Sequence, residues 1–341
     1  MGIKNFVGHN NMKRTIYIFS DGEIKRKDNT LYFETKEGKK YIPIENIQEI
    51  FIFGEVSLNK SLLEFLTEKE IVMHFYNYYG YYIGTYYPRE HLNSGYMILK
   101  QAEFYLNNEK RINLARKFVI GAIDNIKKVL NYYFLRGKPL KETIDKIEEL
   151  SENIFSCNDI NQLMAIEGNI REEYYKAFDY ILNNKHFVFE SRTRQPPKNR
   201  INALISFGNS LLYNVCLSEI YHTHLDPKIG FLHSTNMRRF TLNLDVAEIF
   251  KPIIVDRTIF TLINKDMIRK EHFERKLDGV VLNEKGKKIF VEEFDKHLRT
   301  TIHHKKLQRN VSYRQLIRLE LYKIQKHLIG EEEYVPFVSS W

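Results

Sequence analysis

The sequence predicts an α+β chain: a small N-terminal antiparallel β domain over residues 1–88, then a larger, mostly α-helical domain over residues 89–341. Three observations predict it. Short β-branched and aromatic runs separated by turn residues fill residues 14–87. From about Ser94 the apolar residues recur at helical spacing instead. Pro88 lies between the two regimes and marks the boundary.

In order, the expected strands are Thr15 to Ser20, Leu31 to Thr35, Lys40 to Ile44 and Ile47 to Gly54. They are punctuated by Asp21-Gly22, Lys27-Asp28-Asn29, Glu37-Gly38 and Gly54, the residues that turns favour. Ile50 to Phe53 is continuously apolar, as in a strand buried on both faces. A short helix follows from Asn59 to Thr67, with Asn59 as its N-cap. Ile71 to Tyr76 and Tyr81 to Tyr87 add two strands around Gly80. Beyond Ser94, helical spacing covers Tyr96 to Leu106 and Ile112 to Phe134, and helix-compatible stretches continue over 139–150, 159–183, 201–223, 239–264 and 311–328. Two segments interrupt them. Ser191 to Arg200 holds Pro196-Pro197, which argues against continuous helix. Gly279 to Val291 reads as a β-hairpin turning at Glu284-Lys285-Gly286.

Composition narrows the function. With 52 Lys+Arg against 43 Asp+Glu the chain carries +9, which favours a polyanionic partner through counterion release. Two cysteines, Cys157 and Cys216, supply neither a disulfide framework nor a cysteine-rich zinc site, so a reducing cytoplasm is the expected home. No apolar run is long enough to span a bilayer, so no membrane role is expected. The opening residues lack a signal-peptide core, and residues 1–11 read as a possible extension ahead of Met12. Zincin, P-loop and nucleophile-elbow motifs are absent from the sequence.

Four side chains stand out chemically. Glu167 sits between an apolar run and Gly168; from that segment alone an ordinary ion pair with Arg171, four residues on, is the favoured account. His233 ends a loop that follows Asp226-Pro227 and Gly230, and a lone histidine there is more often packed or capping than a ligand. Asp245 and Glu248 are three apart, on one helix face beside Leu242, Leu244, Ile249 and Phe250. They either point to solvent or, if buried, need a partner or a metal, and the segment alone leaves both open. Taken together the set is oxygen-rich with one imidazole, which suits Mn²⁺ or Mg²⁺ better than Zn²⁺. Arg192, Arg194, Lys198 and Arg200, then Arg238, Arg239 and Lys251, are the basic flanks for a phosphate backbone; each taken singly reads as a solvated surface charge.

The segments Glu167 to Tyr175, Arg192 to Tyr213, Leu225 to Ser234 and Arg238 to Asp256, in that order and spacing, resemble the metal-dependent integrase (endonuclease) of the CRISPR adaptation module. The resemblance covers essentially the whole chain from Met12. It implies a β domain joined to a helical catalytic domain, with a divalent ion held by Glu167, His233 and Glu248 and assisted by Asp245. It implies DNA contacts around Arg192 to Arg200, a homodimer, and a small ferredoxin-like partner subunit. The implied reaction inserts short DNA fragments (spacers) into a CRISPR array by attack of a 3′-OH on a phosphodiester. The competing accounts are a metal-dependent nuclease acting on branched DNA or RNA, and a non-catalytic nucleic-acid scaffold.

Overall fold

The computed structural model describes residues 3–4, 13–89, 92, 94–235, 240–276 and 278–340. The chain divides into two units, Met1–His91 with Leu282–Val291, and Leu92–Val281 with Glu292–Trp341.

The first unit holds strands β1 (Ile3–Lys4), β2 (Arg14–Ile18), β3 (Gly22–Lys27), β4 (Thr30–Thr35), β5 (Gly38–Pro43), β6 (Ile47–Ile52) and β7 (Val56–Leu58), then helix α1 (Lys60–Glu68), β8 (Val72–Tyr76) and β9 (Tyr82–Tyr86). They form two sheets, ordered β1-β2-β6-β8-β9 and β5-β4-β3-β7. The expected strands and the Asn59 cap, which accepts from the Leu62 N–H at 3.0 Å, are present. The pairing corrects the expectation of a purely antiparallel domain. β2 and β6 run parallel, as do β6 and β8, and β3 and β7. The reason is connectivity. β2 and β6 are joined through the β3–β5 meander, and β6 and β8 through β7 and α1, so each parallel pair has the long crossover it requires. Sequence reading missed β3 because Glu23, Lys25, Arg26 and Lys27 surround its one buried residue, Ile24. Ile50, Phe51, Ile52 and Phe53 are all buried, as the uninterrupted apolar run requires of a central strand. Ile16, Ile18, Ile24, Phe33, Ile50, Leu62, Phe65 and Met73 form one core shared by both sheets and α1.

The second unit begins with α2 (Gly95–Leu106), α3 (Asn108–Phe134), α4 (Lys141–Glu152), α5 (Ile160–Leu182), α6 (Arg200–Tyr221), α7 (Leu242–Lys251) and α8 (Arg257–Asn264). Helix α6 is buried nearly all round and is the centre of the unit, which explains its weak amphipathicity. Asn199 caps it by accepting from the Asn202 N–H at 2.9 Å. Asp159 caps α5 in the same way through Asn161 and Gln162. Helices α3 and α6 both pack on α7, and Asn125 of α3 donates to the Ile249 carbonyl at 3.0 Å. Between α7 and α8, Pro252–Asp256 winds as a π-helical turn. Pro252 lacks an N–H, so the widened turn accommodates it without ending the helical run.

Strands β10 (Phe273–Lys276) and β11 (Gly279–Leu282) pair with each other, followed by α9 (Glu284–Arg299), β12 (Thr301–His304), β13 (Arg309–Ser312) and α10 (Tyr313–Leu328). The expected hairpin turn at Glu284-Lys285-Gly286 is instead the first turn of α9. The Asn283 side chain accepts from the Gly286 N–H at 2.9 Å, and buried Phe290, Val291, Phe294 and Leu298 recur at helical spacing. No described helix is long and apolar enough to cross a membrane.

Candidate functional site

Helices α5 and α7 supply the acids. On α5, Glu167 and Arg171 stand one turn apart on the same face. Arg171 is buried. Its Nε donates to Glu167 Oε1 at 3.2 Å, and its Nη2 donates to Glu248 Oε2 of α7 at 2.6 Å. One guanidinium therefore joins two of the carboxylates the sequence singled out. Lys251, a turn after Glu248, donates to Glu248 Oε1. Burial opposes the Glu248 charge, but Lys251 and Arg171 outweigh it and hold the carboxyl down at about 2. Burial likewise opposes the Arg171 charge, and Glu248 and then Glu167 keep it firmly cationic.

Asp245, fully buried at the start of α7, does different work. Its carboxylate accepts the backbone N–H groups of Phe231, Leu232 and His233, the last at 2.9 Å. It also lies 2.8 Å from His233 Nδ1. A carboxylate oxygen only accepts, so Nδ1 carries the hydrogen and, in the neutral ring, Nε2 keeps its lone pair; the side chain is part-exposed. The hydrogen bond and the charges of Asp245 and Glu248 raise the His233 pKa despite the opposing effect of burial, the largest single influence. Gly230 makes this loop possible. A Cβ there would lie 2.8 Å from the Thr241 backbone and 2.9 Å from Asp245 Oδ2.

Glu167 and Glu248 are thus brought together on Arg171, while His233 is held by Asp245 and feels the Glu248 charge. Among the described residues, however, no three His, Cys, Asp or Glu side chains are grouped as a metal-ligand set. The physical reason is visible: Arg171 and Lys251 engage the oxygens of Glu248, Arg171 engages Glu167, and the Asp245 oxygens are spent on backbone N–H groups. The donor chemistry still suits a hard divalent ion, since it offers two carboxylates and one imidazole nitrogen.

Sequence reading missed Asp256, at the end of the π-helical turn. It is fully buried, and both its carboxylate oxygens lack a hydrogen-bond partner among the described residues. Burial pushes its pKa up to about 7 against the pull of Arg171. The Tyr174 hydroxyl beside it completes no hydrogen bond of ordinary geometry. The available signal was an acid closing the apolar run Pro252 to Val255.

The basic residues fall into distinct groups. Lys251 is not the surface charge expected for a phosphate contact; it is 6% exposed and held by Glu248 because α7 turns it inward beside that acid. Arg192 braces the start of α6, donating to Asn202 Oδ1 and Ser206 Oγ, each at 3.0 Å. Arg200 donates to the His186 carbonyl at 3.2 Å, and exposed Lys198 to the Asp278 carbonyl at 2.9 Å. Arg194 is exposed. Arg238 and Arg239 lie outside the described residues.

Comparison with known proteins adds an independent line. The family model described as CRISPR associated protein Cas1 matches residues 16–296. A CRISPR-associated endonuclease Cas1 of Thermodesulfovibrio yellowstonii is 71% identical over 330 residues, covering 97% of this chain and 100% of that protein. The solved structure of a Cas1 protein from Thermotoga maritima superposes with a TM-score of 0.85 at 50% identity, covering 94% of this chain and 98% of that one. A casposase bound to integration product has the same fold, with a TM-score of 0.86 at 21% identity over 96% of this chain and 94% of that one.

Proposed function

The chain belongs to the CRISPR-associated Cas1 family, and from that premise we propose that it is a metal-dependent DNA integrase and endonuclease that inserts short DNA fragments into a CRISPR array. The observation that carries this reading is the convergence of Glu167 and Glu248, from segments far apart in sequence, on the single guanidinium of Arg171, with His233 braced nearby by Asp245.

In the proposed reaction the 3′-oxygen of an incoming duplex attacks a phosphodiester at the repeat boundary. A new P–O bond forms, the old P–O3′ bond breaks, and the number of phosphodiesters is conserved. The attacking hydroxyl loses its proton and the leaving 3′-oxygen gains one. Glu167, His233 and Glu248 would hold Mn²⁺ or Mg²⁺, which when bound neutralises charge on the scissile phosphate. Asp245 fixes the direction of His233 through Nδ1, so Nε2 is the nitrogen that would either hold the ion or, in the protonated ring, give a proton to the leaving oxygen. Exposed Arg194 and Lys198 are the first choices for backbone phosphates. Water in place of the 3′-OH gives hydrolysis at the same site. A homodimer acting with a small ferredoxin-like subunit completes the reading, supported by the four ordered motifs.

The test is strand transfer with a short duplex, that partner, Mn²⁺ and a plasmid carrying a repeat array. Joined product is expected with free 3′-OH ends and none with dideoxy ends. Product formation at the wild-type rate by a folded His233→Ala protein would remove the assignment.

A further inference from the structure

The Arg171 guanidinium has one nitrogen on Glu167 and one on Glu248, yet its third, Nη1, is buried and has no hydrogen-bond partner among the described residues. Asp256 presents the complementary anomaly: a fully buried carboxylate with neither oxygen hydrogen-bonded among the described residues, beside a Tyr174 hydroxyl that is likewise unpaired among them. Arg171 is the cation whose charge acts most strongly on it, ahead of Lys251. Buried polar groups are ordinarily hydrogen-bonded, so an unused guanidinium nitrogen and an unused carboxylate in one neighbourhood call for a state in which they are used.

We propose that Arg171 is an exchangeable counter-ion: a divalent cation entering between Glu167 and Glu248 displaces its guanidinium, and Asp256 is the acid that receives it. Asp256 is then a positioning residue, acting on the ion only through Arg171. The inference rests on the metal-dependent reading above. It explains why the carboxylates stand together without forming a ligand set: the protein's own cation holds the place. No covalent step is involved. The guanidinium trades carboxylate partners, and the buried charge it would otherwise carry unpaired is compensated in both states.

The experiment is calorimetric titration of the full-length, chelator-stripped protein with Mn²⁺, for wild type, Asp256→Asn, Arg171→Gln and the double variant. Asp256→Asn keeps the side-chain shape and is expected to weaken Mn²⁺ binding about tenfold, the lower end of what outer-sphere partners typically contribute. Arg171→Gln removes the competitor and is expected to tighten binding. The decisive quantity is the coupling: in the Arg171→Gln background, adding Asp256→Asn should change affinity by less than about twofold. An equal loss in both backgrounds would make Asp256 a plain electrostatic neighbour and overturn the exchange. So would unchanged binding in Asp256→Asn, while leaving the metal reading intact. Absence of Mn²⁺ binding to wild type would remove both. A second readout needs no variant: in arginine-labelled protein the Arg171 Nε–H resonance should shift as Mg²⁺ is added, and a stationary resonance would overturn the proposal.

Discussion

Two buried ion clusters in the helical unit have opposite wiring. At Glu219 of α6 the acid is the hub: Oε1 accepts from Arg314 Nε at 2.7 Å and Oε2 from Arg318 Nε at 2.6 Å. At Arg171 the cation is the hub, shared by Glu167 and Glu248, with Asp256 beside it. An acid clamped by two guanidinium groups is a brace between helices, because a further cation gains nothing by approaching. A guanidinium ringed by acids occupies a place that a small, doubly charged ion competes for. Burial and short ion pairs are common to both, so neither marks function by itself; which partner is shared, the acid or the cation, separates them.

The largest effects should separate these roles outright. His233→Ala is expected to lower strand transfer by at least about a hundredfold while leaving the thermal midpoint near wild type, and the transfer assay together with a melting curve checks it. Glu219→Ala should do the reverse. It leaves Arg314 buried without its acid, so a loss of about 3–5 kcal/mol in unfolding free energy is expected. Mn²⁺ affinity of the surviving folded protein should be unchanged. A large affinity change there would break the distinction between brace and site.

Asp256 gives a pH test in the metal-free protein. Its folded pKa, about 7, lies above the ordinary carboxyl value of 3.8. The folded state therefore binds this proton more tightly than the unfolded state does. The stability it contributes is fully present below pH 4 and is lost as pH rises toward 7. Chemical denaturation should show Asp256→Asn gaining on wild type across that window, by a few kcal/mol at most. A difference independent of pH would remove the charge-based account.

A smaller effect sharpens the nucleic-acid side. Exposed Arg194 and Lys198 differ from Arg192, whose guanidinium braces α6. Arg194→Ala and Lys198→Ala should each reduce the slope of log affinity against log salt by about one. Arg192→Ala should act chiefly on stability. Equal slopes for Arg194→Ala and wild type would mean that this loop does not meet phosphate. The smallest change expected is Asn59→Ala, about 1 kcal/mol of stability through the α1 cap, with no effect on DNA binding.

What the sequence disclosed follows from how local each signal is. Turn residues, caps and the switch to helical spacing are local, and they located most strands and every long helix except α9. There the apparent hairpin ends at Val291, short of Phe294 and Leu298, which complete the helical repeat, and Gly286 has the character of a turn residue. Parallel pairing was hidden because β2 and β6 meet only after a crossover. At the site, Glu167, His233, Asp245 and Glu248 were recognisable by type, and the Glu167–Arg171 pair by spacing. The second reach of Arg171, to Glu248 seventy-seven positions away, depends on how α5 lies against the α7 region, which no window of sequence contains. The inward turn of Lys251 and the burial of Asp256 depend on the same packing.

The turn Pro252–Asp256 has a consequence for how the chain tolerates change. Each residue of an α-helix advances about 100° around the axis, and a π-helical turn accommodates one more residue than an α turn does. Trimming a single residue from this stretch would let it close into ordinary α winding, so that the helix after it could keep its phase while the turn lost its breadth. The spare residue is an allowance in the winding, more tolerant of loss than a plain α segment of the same length.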